Sequence, residues 1–438
     1  MFGTNLPRFL RRAAATLLVA APMGLAAQLS PTNSPKFPTA SILESPGKDV
    51  SISLLTMGTG DQIWELFGHT AIRIHNNVTG QDSVFNWGAF DMSQPNFILH
   101  FLKGLNLYVM DGQTIQEVMA HYRYYNRTVT EQDLELTESQ RDSLVRLIQI
   151  NARPENVKYR YDYFVDNCST RPRDLLDRVL GPQFRAKADS LTSLSYRDQA
   201  LRLMQGDKPL VVGVDIGLGE PSDEVLTTWK AMFLPRVLHD YVATVQVRDS
   251  TGAMRPLVRA ERVLFQSTRP PEPAAPPRLW SYLLLMGLAI GGGLLWLASK
   301  AGRSRGARVG LAIVATLWCF VAGILGVVLT ILWMATDHRF AYANENLLVF
   351  NPLWLILAVC VAIYVTSGKA ARFTGLLTAF LAVLCVLALL SHAVFISRQA
   401  NLAIILLALP PALALALITW TPARQSGVDR DSRLTGGA

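Results

Sequence analysis

The sequence predicts a two-part protein of the bacterial inner membrane. A large extracytoplasmic domain of mixed strands and helices comes first, and an all-α bundle of five membrane-spanning helices follows. Three observations carry this. Half of the 438 residues are hydrophobic, and they concentrate after Pro277. The N-terminus has the form of an export signal. The basic residues between the apolar runs fall on alternate sides.

Arg8, Arg11 and Arg12 precede an apolar run from Ala13 to about Leu25, and Gly24, Ala26 and Ala27 supply small residues for cleavage. Residues 1–27 therefore read as a signal peptide, with an uncleaved anchor helix as the alternative. Residues 28–48 are rich in Ser, Pro and Thr and read as a linker. Residues 49–268 have ordinary polarity and form the periplasmic domain. A second linker, 269–279, is nearly all Pro and Ala, an extended spacer.

Apolar runs at 280–299, 309–334, 352–367, 374–394 and 402–420 give the five spans. A span needs about 20 residues, so the third is short. Lys300, Arg303, Arg305 and Arg308 follow the first span, Lys369 and Arg372 the third, and Arg424, Arg430 and Arg433 the fifth. The two remaining loops carry Arg339 and Arg398. The positive-inside rule then puts residues 49–268 outside and the tail, 421–438, in the cytoplasm. The signal and the three inward segments hold more positive charge than the whole chain's net +8. The basic balance thus reports topology, and nucleic acid is excluded as a partner.

Of the four cysteines, Cys319, Cys360 and Cys385 lie in spans, where a cysteine is ordinarily a small hydrophobe. Cys168 is the single cysteine of the exported domain and has no disulfide partner there. A lone thiol in an oxidising compartment is a liability unless it is used. No Cys/His cluster has metal-ligand spacing, and no cofactor is called for.

Within the domain, Ser51 to Met57 reads as a strand and Gln62 to Phe67 as a short helix. His69 to His75 and Ser83 to Trp87 make a hairpin across the turn residues Asn76 to Gln81. Thr137 caps a helix that runs through Asn151. Tyr159 to Val165 reads as extended. Cys168 opens a helix stopped by Gly181-Pro182.

A helix N-terminus lowers a thiol pKa, and Arg171 and Arg173 push the same way, so Cys168 is expected to be a thiolate nucleophile. Its base is a histidine, to be chosen among His69, His75, His100 and His121. His69 is the first choice, since it starts a strand beside Gly68. The ordinary alternative for each is a surface or core histidine with its hydrogen bonds met.

The strings Trp64-Glu65-Leu66-Phe67-Gly68-His69-Thr70-Ala71-Ile72-Arg73, Phe85-Asn86-Trp87-Gly88-Ala89-Phe90-Asp91 and Tyr161 to Asp174, around Asp166-Asn167-Cys168-Ser169-Thr170, resemble the periplasmic domain of the Lnb family. That family is linked to lipoprotein N-acylation. Asp337-His338-Arg339 and Asn344 to Leu353 resemble the loop between the second and third helices of its five-helix membrane domain. The resemblance covers most of residues 50–420. Trp87 and Pro172 depart from the Tyr and aliphatic residue expected there, which bears on substrate fit more than on chemistry.

The resemblance implies an α+β permuted papain-like (NlpC/P60-type, LRAT-like) periplasmic domain fused to an all-α five-helix transmembrane bundle. It implies His69 as base and Cys168 as nucleophile. The thiolate attacks a phospholipid ester, and the acyl group passes through a thioester to the N-terminal amine of a diacylglyceryl-lipoprotein. Backbone N–H groups and the Asn167 side chain would hold the oxyanion, and Asn86 or Asp91 would orient His69. Tyr108, Arg127, Tyr159, Tyr161 and Arg173 are candidates to line the site, with structural roles as the alternative. His338 and Asn351, with Asn344, Glu345 and Asn346, are candidates to face the lipid headgroup. The partners implied are a phospholipid acyl donor, a lipoprotein acceptor and the membrane. The competing classes are a membrane-tethered peptidase or amidase acting on peptidoglycan and a non-catalytic envelope scaffold. A single anchor would serve such a hydrolase, and no wall-binding module is evident.

Overall fold

The computed structural model describes residues 40–90, 96–249, 251–394 and 396–420. The expected signal peptide, the first part of the linker, the tail 421–438 and Asp91 lie outside these residues. The described chain divides into two compact units, one of 40–211 and 224–276, the other of 212–223 and 277–420.

The first unit is built on a seven-stranded antiparallel sheet. Its strands are β1 (Val50–Met57), β2 (His69–Asn76), β3 (Asp82–Ala89), β4 (Leu107–Gln113), β5 (Val129–Leu134), β6 (Lys158–Arg160) and β7 (Val258–Phe265). The spatial order is β7-β5-β1-β2-β3-β4-β6. The expected hairpin is present: β2 pairs with β3 from Ala71↔Asn86 to His75↔Asp82. Its helices in chain order are α1 (Phe97–Lys103), α2 (Ile115–Tyr124), α3 (Glu138–Asn151), α4 (Thr170–Leu180), α5 (Tyr196–Met204) and α7 (Pro235–Val242), while α6 (Lys208–Gly217) begins in this unit and passes into the other at Val212. Thr137 caps α3 with a reciprocal Gln140 bond, as the sequence implies.

Both faces of the sheet are covered, which is why β1 reads as a near-continuous apolar run rather than an alternation. On one face Leu55, Met57, Ala71 and Val84 pack under Val118 and Tyr122 of α2. On the other, Trp87 is fully buried and its indole N–H donates to Asn151 of α3. Each such side chain contributes roughly 1.5–3 kcal/mol of burial.

Three sequence expectations change. Residues 40–48 were assigned to a linker, but Ile42 and Leu43 are buried and Arg141 of α3 donates to the Gly47 carbonyl at 2.6 Å. The extended stretch expected from Tyr159 to Val165 is short: β6 ends at Arg160, and the chain then turns through an Asp162↔Asp166 bridge. Third, Val212–Asp223 belongs with the membrane helices rather than with the periplasmic domain.

The second unit contains the five expected apolar helices, long enough to cross a membrane. They are α8 (Trp280–Ala301), α9 (Arg305–Ala335), α10 (Leu353–Ser367), α11 (Ala371–Ala393) and α12 (Leu402–Trp420). The third span is longer than its apolar run suggests: Glu345–Ser367 takes in a 3-10 turn at Glu345–Leu348 and the 15 residues of α10. Pro410 and Pro411 lie inside α12. They have no N–H to give the Leu406 and Leu407 carbonyls one turn earlier. Those two oxygens face Gly287 of α8, where a Cβ would sit 2.8 and 2.6 Å from them. Small residues here let two helix backbones touch.

Candidate active site

The first site residue is placed by a glycine. Gly68 has φ +79°, and a Cβ on it would sit 2.7 Å from the Met57 carbonyl oxygen. No other residue fits this entry to β2 without strain. His69 follows as the first residue of β2, paired with Met57 and only 2% exposed. Ala71 lies on the same face two residues on, and Asn86 is its partner on β3. That register brings the Asn86 Oδ1 to 3.0 Å from His69 Nε2. The Asn86 amide also donates weakly to the Val84 carbonyl, which keeps its oxygen turned to the ring. An acceptor at Nε2 makes Nε2 the protonated nitrogen and leaves Nδ1 with a lone pair.

Cys168 comes from the turn that opens α4, and it is 7% exposed. Asn167 builds that turn. Its Oδ1 accepts from the N–H groups of Ser169 (2.8 Å) and Thr170 (3.0 Å), and its Nδ2 donates to the carbonyls of Tyr163 (2.9 Å) and Phe233 (3.0 Å). Both amide hydrogens are committed, so Asn167 is a positioning residue and not the oxyanion donor expected for it. The backbone N–H groups of Thr70 and of Cys168 itself instead act on the thiol, each lowering its pKa. Thr70 is the neighbour of His69, so the thiol sits against the same strand end as the imidazole.

The expected thiolate is not the resting form. Burial pushes the Cys168 thiol up to about 11, against the smaller opposing effects of the two N–H groups, Arg127 and Tyr161. Arg171 and Arg173 do not help, because their charges are spent elsewhere. Arg171 binds Asp166 at 2.6 Å and lies 3.6 Å over the Tyr159 ring. Arg173 binds Asp174 at 2.8 Å, donates to the Trp229 carbonyl at 2.9 Å and stacks on the Trp229 ring, so it is structural and not the substrate ligand expected. Burial also pulls His69 down to about 4, with Asn86 opposing and Arg127 and His121 adding to the drop. The thiol and the imidazole are both neutral at rest.

Around them stand Tyr108, Tyr159 and Tyr161, all buried. Tyr161 stacks on Tyr108 with ring centres 4.3 Å apart. The Tyr159 and Tyr161 hydroxyls are buried without a hydrogen-bond partner of ordinary geometry, although Tyr161 is close enough to lower the thiol's pKa. Gly88 opens the space between them: its φ is +102°, and a Cβ there would lie 3.2 Å from Tyr161, 3.8 Å from the Cys168 Cβ and 3.8 Å from the Tyr159 hydroxyl. The register of β3 against β4 shifts between Trp87 and Ala89, so Gly88 is a bulge. Arg127 does not line this space. It is buried, donates to the Gly58 carbonyl at 2.9 Å and pairs with buried Glu65 at 3.1 Å.

His338 and Asn351 belong to the membrane unit. His338 is buried and its backbone N–H donates to Thr336. Asn351 caps α10 through the Leu353 N–H at 3.1 Å, while its own Nδ2 is buried without a partner. A cleft of about 970 Å³ lies among the membrane helices, lined in part by Arg308, Tyr364, Ser367 and Thr419, and none of the expected site residues borders it. Among the described residues no cluster of His, Cys, Asp and Glu is suited to hold a metal.

Sequence reasoning missed the Thr70 N–H, Gly88 and the Glu65–Arg127 pair. A glycine inside a strand pattern is a recognisable bulge signal, so Gly88 was open to discovery. The two departures from the expected pattern prove structural. Trp87 is core, and Pro172 sits in the first turn of α4, where a missing N–H costs little.

Comparison with protein-family models matches residues 37–200 to the Lnb N-terminal periplasmic domain and residues 284–425 to the Lnb transmembrane domain. Neither curated proteins nor solved structures gave a match.

Proposed function

The chain belongs to the Lnb family, a membrane protein with a periplasmic domain, and on that premise we propose that it is a cysteine-dependent acyltransferase. It moves an acyl chain from a membrane phospholipid, through a thioester on Cys168, to the N-terminal amine of a diacylglyceryl-lipoprotein. In this reading the periplasmic domain has a permuted papain-like fold, the membrane is the inner one, and the C-terminus is cytoplasmic, as the basic loops require. One observation carries the chemistry. Asn86 holds His69 Nε2 at 3.0 Å, which frees Nδ1 as a base, and the N–H of the adjoining Thr70 lowers the pKa of the Cys168 thiol.

His69 Nδ1 takes the thiol proton as the sulfur attacks the ester carbonyl. Because both groups start neutral, proton transfer accompanies attack rather than preceding it. The N–H groups of Cys168 and Thr70, which lower the thiol's pKa, are the donors assigned to the oxyanion in this reading. The Tyr161 hydroxyl, buried with no hydrogen-bond partner of ordinary geometry and close enough to lower the thiol's pKa, is a third donor in this reading. Collapse breaks the ester C–O bond, and the lysophospholipid oxygen leaves with the proton from His69. The acceptor amine then attacks the thioester and loses a proton to Nδ1. Cys168 departs as a thiolate and is reprotonated.

The test is transfer itself. Full-length protein in phospholipid micelles, given a diacylated lipopeptide with a free α-amine, should yield the triacylated lipopeptide by mass spectrometry. Release of free fatty acid with no acylated amine would show a hydrolase. Cleavage of peptidoglycan peptides without use of lipid would replace the reading with the peptidase.

A further inference from the structure

Helix α1 is out of keeping with the rest of its unit. Its seven residues include none that is buried, although five of them are Phe97, Ile98, Leu99, Phe101 and Leu102. Ile98 is 69% exposed and Leu99 48%, and Leu105 and Leu107, just beyond, are also exposed. Left-handed residues at Asn96 and Gly104 end the helix sharply on both sides. Residues 96–108 contain no acid, and Lys103 and His100 are exposed among the apolar side chains. β6 pairs with Leu107 and adds Lys158 and Arg160 on the same edge. A contiguous apolar patch with a basic rim is the composition of a surface that enters a lipid interface.

The patch is connected to the site. Tyr161 stacks on Tyr108, Tyr108 meets Phe90 at 5.6 Å, Phe90 stacks on Phe97 at 5.8 Å, and Phe97 stacks on Phe101 at 6.3 Å. A row of rings thus runs from beside the Cys168 sulfur to the exposed face of α1. Cys168 and His69 are buried, so a substrate must come through the packing, and this row is apolar along its length.

We propose that α1 with Leu105 and Leu107 is a membrane-entering surface. It seats in the outer face of the bilayer and passes an acyl chain of a phospholipid along the aromatic row to Cys168. The occupant is lipid rather than protein for three reasons: the basic rim suits phosphate headgroups, the chain's own apolar helices keep this domain at a bilayer, and the patch is continuous with the thiol. The acyl-delivery half of this inference rests on the phospholipid-donor reading; the insertion half does not.

The experiment uses full-length protein in phosphatidylethanolamine–phosphatidylglycerol nanodiscs. A Leu99→Cys variant carries an environment-sensitive fluorophore, with unsubstituted protein as the labelling background. Doxyl-labelled lipids should quench it and aqueous iodide should not. Quenching by iodide alone would overturn the insertion, and so would shielding from both quenchers, which would indicate a protein partner. In a second arm, Ile98→Glu/Leu99→Glu is compared with the parent for acyl adducts on Cys168, using long-chain phospholipid and water-soluble dihexanoyl-phosphatidylcholine. The ratio of long-chain to short-chain use should fall about tenfold or more, the scale of one or two lost apolar contacts. An unchanged ratio would overturn acyl delivery. If the parent takes an acyl group from neither donor, the phospholipid-donor reading fails, and the quenching result still decides whether α1 enters the bilayer.

Discussion

Cys168 and His69 sit so deep that neither carries charge near pH 7, and this sets a pH signature. The thiol, pushed up to about 11, is deprotonated only in strong alkali, and the imidazole, pulled down to about 4, is a competent base at all pH values above that. Alkylation of Cys168 by iodoacetamide, followed on its own peptide, should therefore rise about tenfold per pH unit from about pH 6 to 9 without a plateau. Thioester formation should show no step near the ordinary histidine pKa and should fall only as pH drops through about 4. A plateau in alkylation by about pH 6 would mean a thiolate–imidazolium pair and would contradict this. In the sequence, Cys168 was legible because it is alone in the exported domain. His69 was only the first choice among four histidines, and the Asn86 contact that holds its ring is not visible in the sequence. The Thr70 and Cys168 N–H groups left no trace, because every residue but proline carries one. The thiol's pKa was misread because helix position and nearby arginines are visible in sequence, whereas burial and the acids that occupy those arginines are not.

At the scale of elements, the join between α6 and the membrane helices is the least local feature of the fold. The last carbonyls of α6 have no partners within the helix. Asn344 donates to those of Ile216 (2.9 Å), Gly217 (3.1 Å) and Leu218 (3.3 Å), Asn346 to Ile216 (3.0 Å), and Gln399 to Leu218 (3.1 Å). Asn401 and Glu345 extend the network to His392 and Ser397. Asn344→Ala strips donors from buried carbonyls, a cost of about 1–3 kcal/mol. It should lower the thermal unfolding midpoint in detergent by several degrees and open 212–223 to protease. An unchanged midpoint and digestion pattern would show that the amides hold nothing. Nothing near residue 216 announces this, since the donors lie more than a hundred residues away in sequence. The hairpin β2–β3, α3 and the five spans were legible because their signals are local: turn residues, a capping box and apolar length. Residues 97–134 were not assigned elements, although Thr114 and Glu117 form a capping box at the start of α2 that is a local signal.

On the scale of the whole molecule, a periplasmic domain with a buried thiol and a bundle of five apolar helices in one chain fit the proposed lipid substrate. The division into two parts was legible from composition alone, while the exchange of 212–223 into the membrane unit was not. The central claim is that Cys168 becomes acylated by a phospholipid, with His69 as its base. Mass spectrometry of the full-length protein from phospholipid micelles tests it most directly, with Cys168→Ala and His69→Ala alongside. We expect an acyl mass on the Cys168 peptide that hydroxylamine removes. It should be absent in Cys168→Ala and should form about 100-fold or more slowly in His69→Ala. An unmodified Cys168 in wild-type protein, or an adduct that forms equally fast without His69, would contradict it.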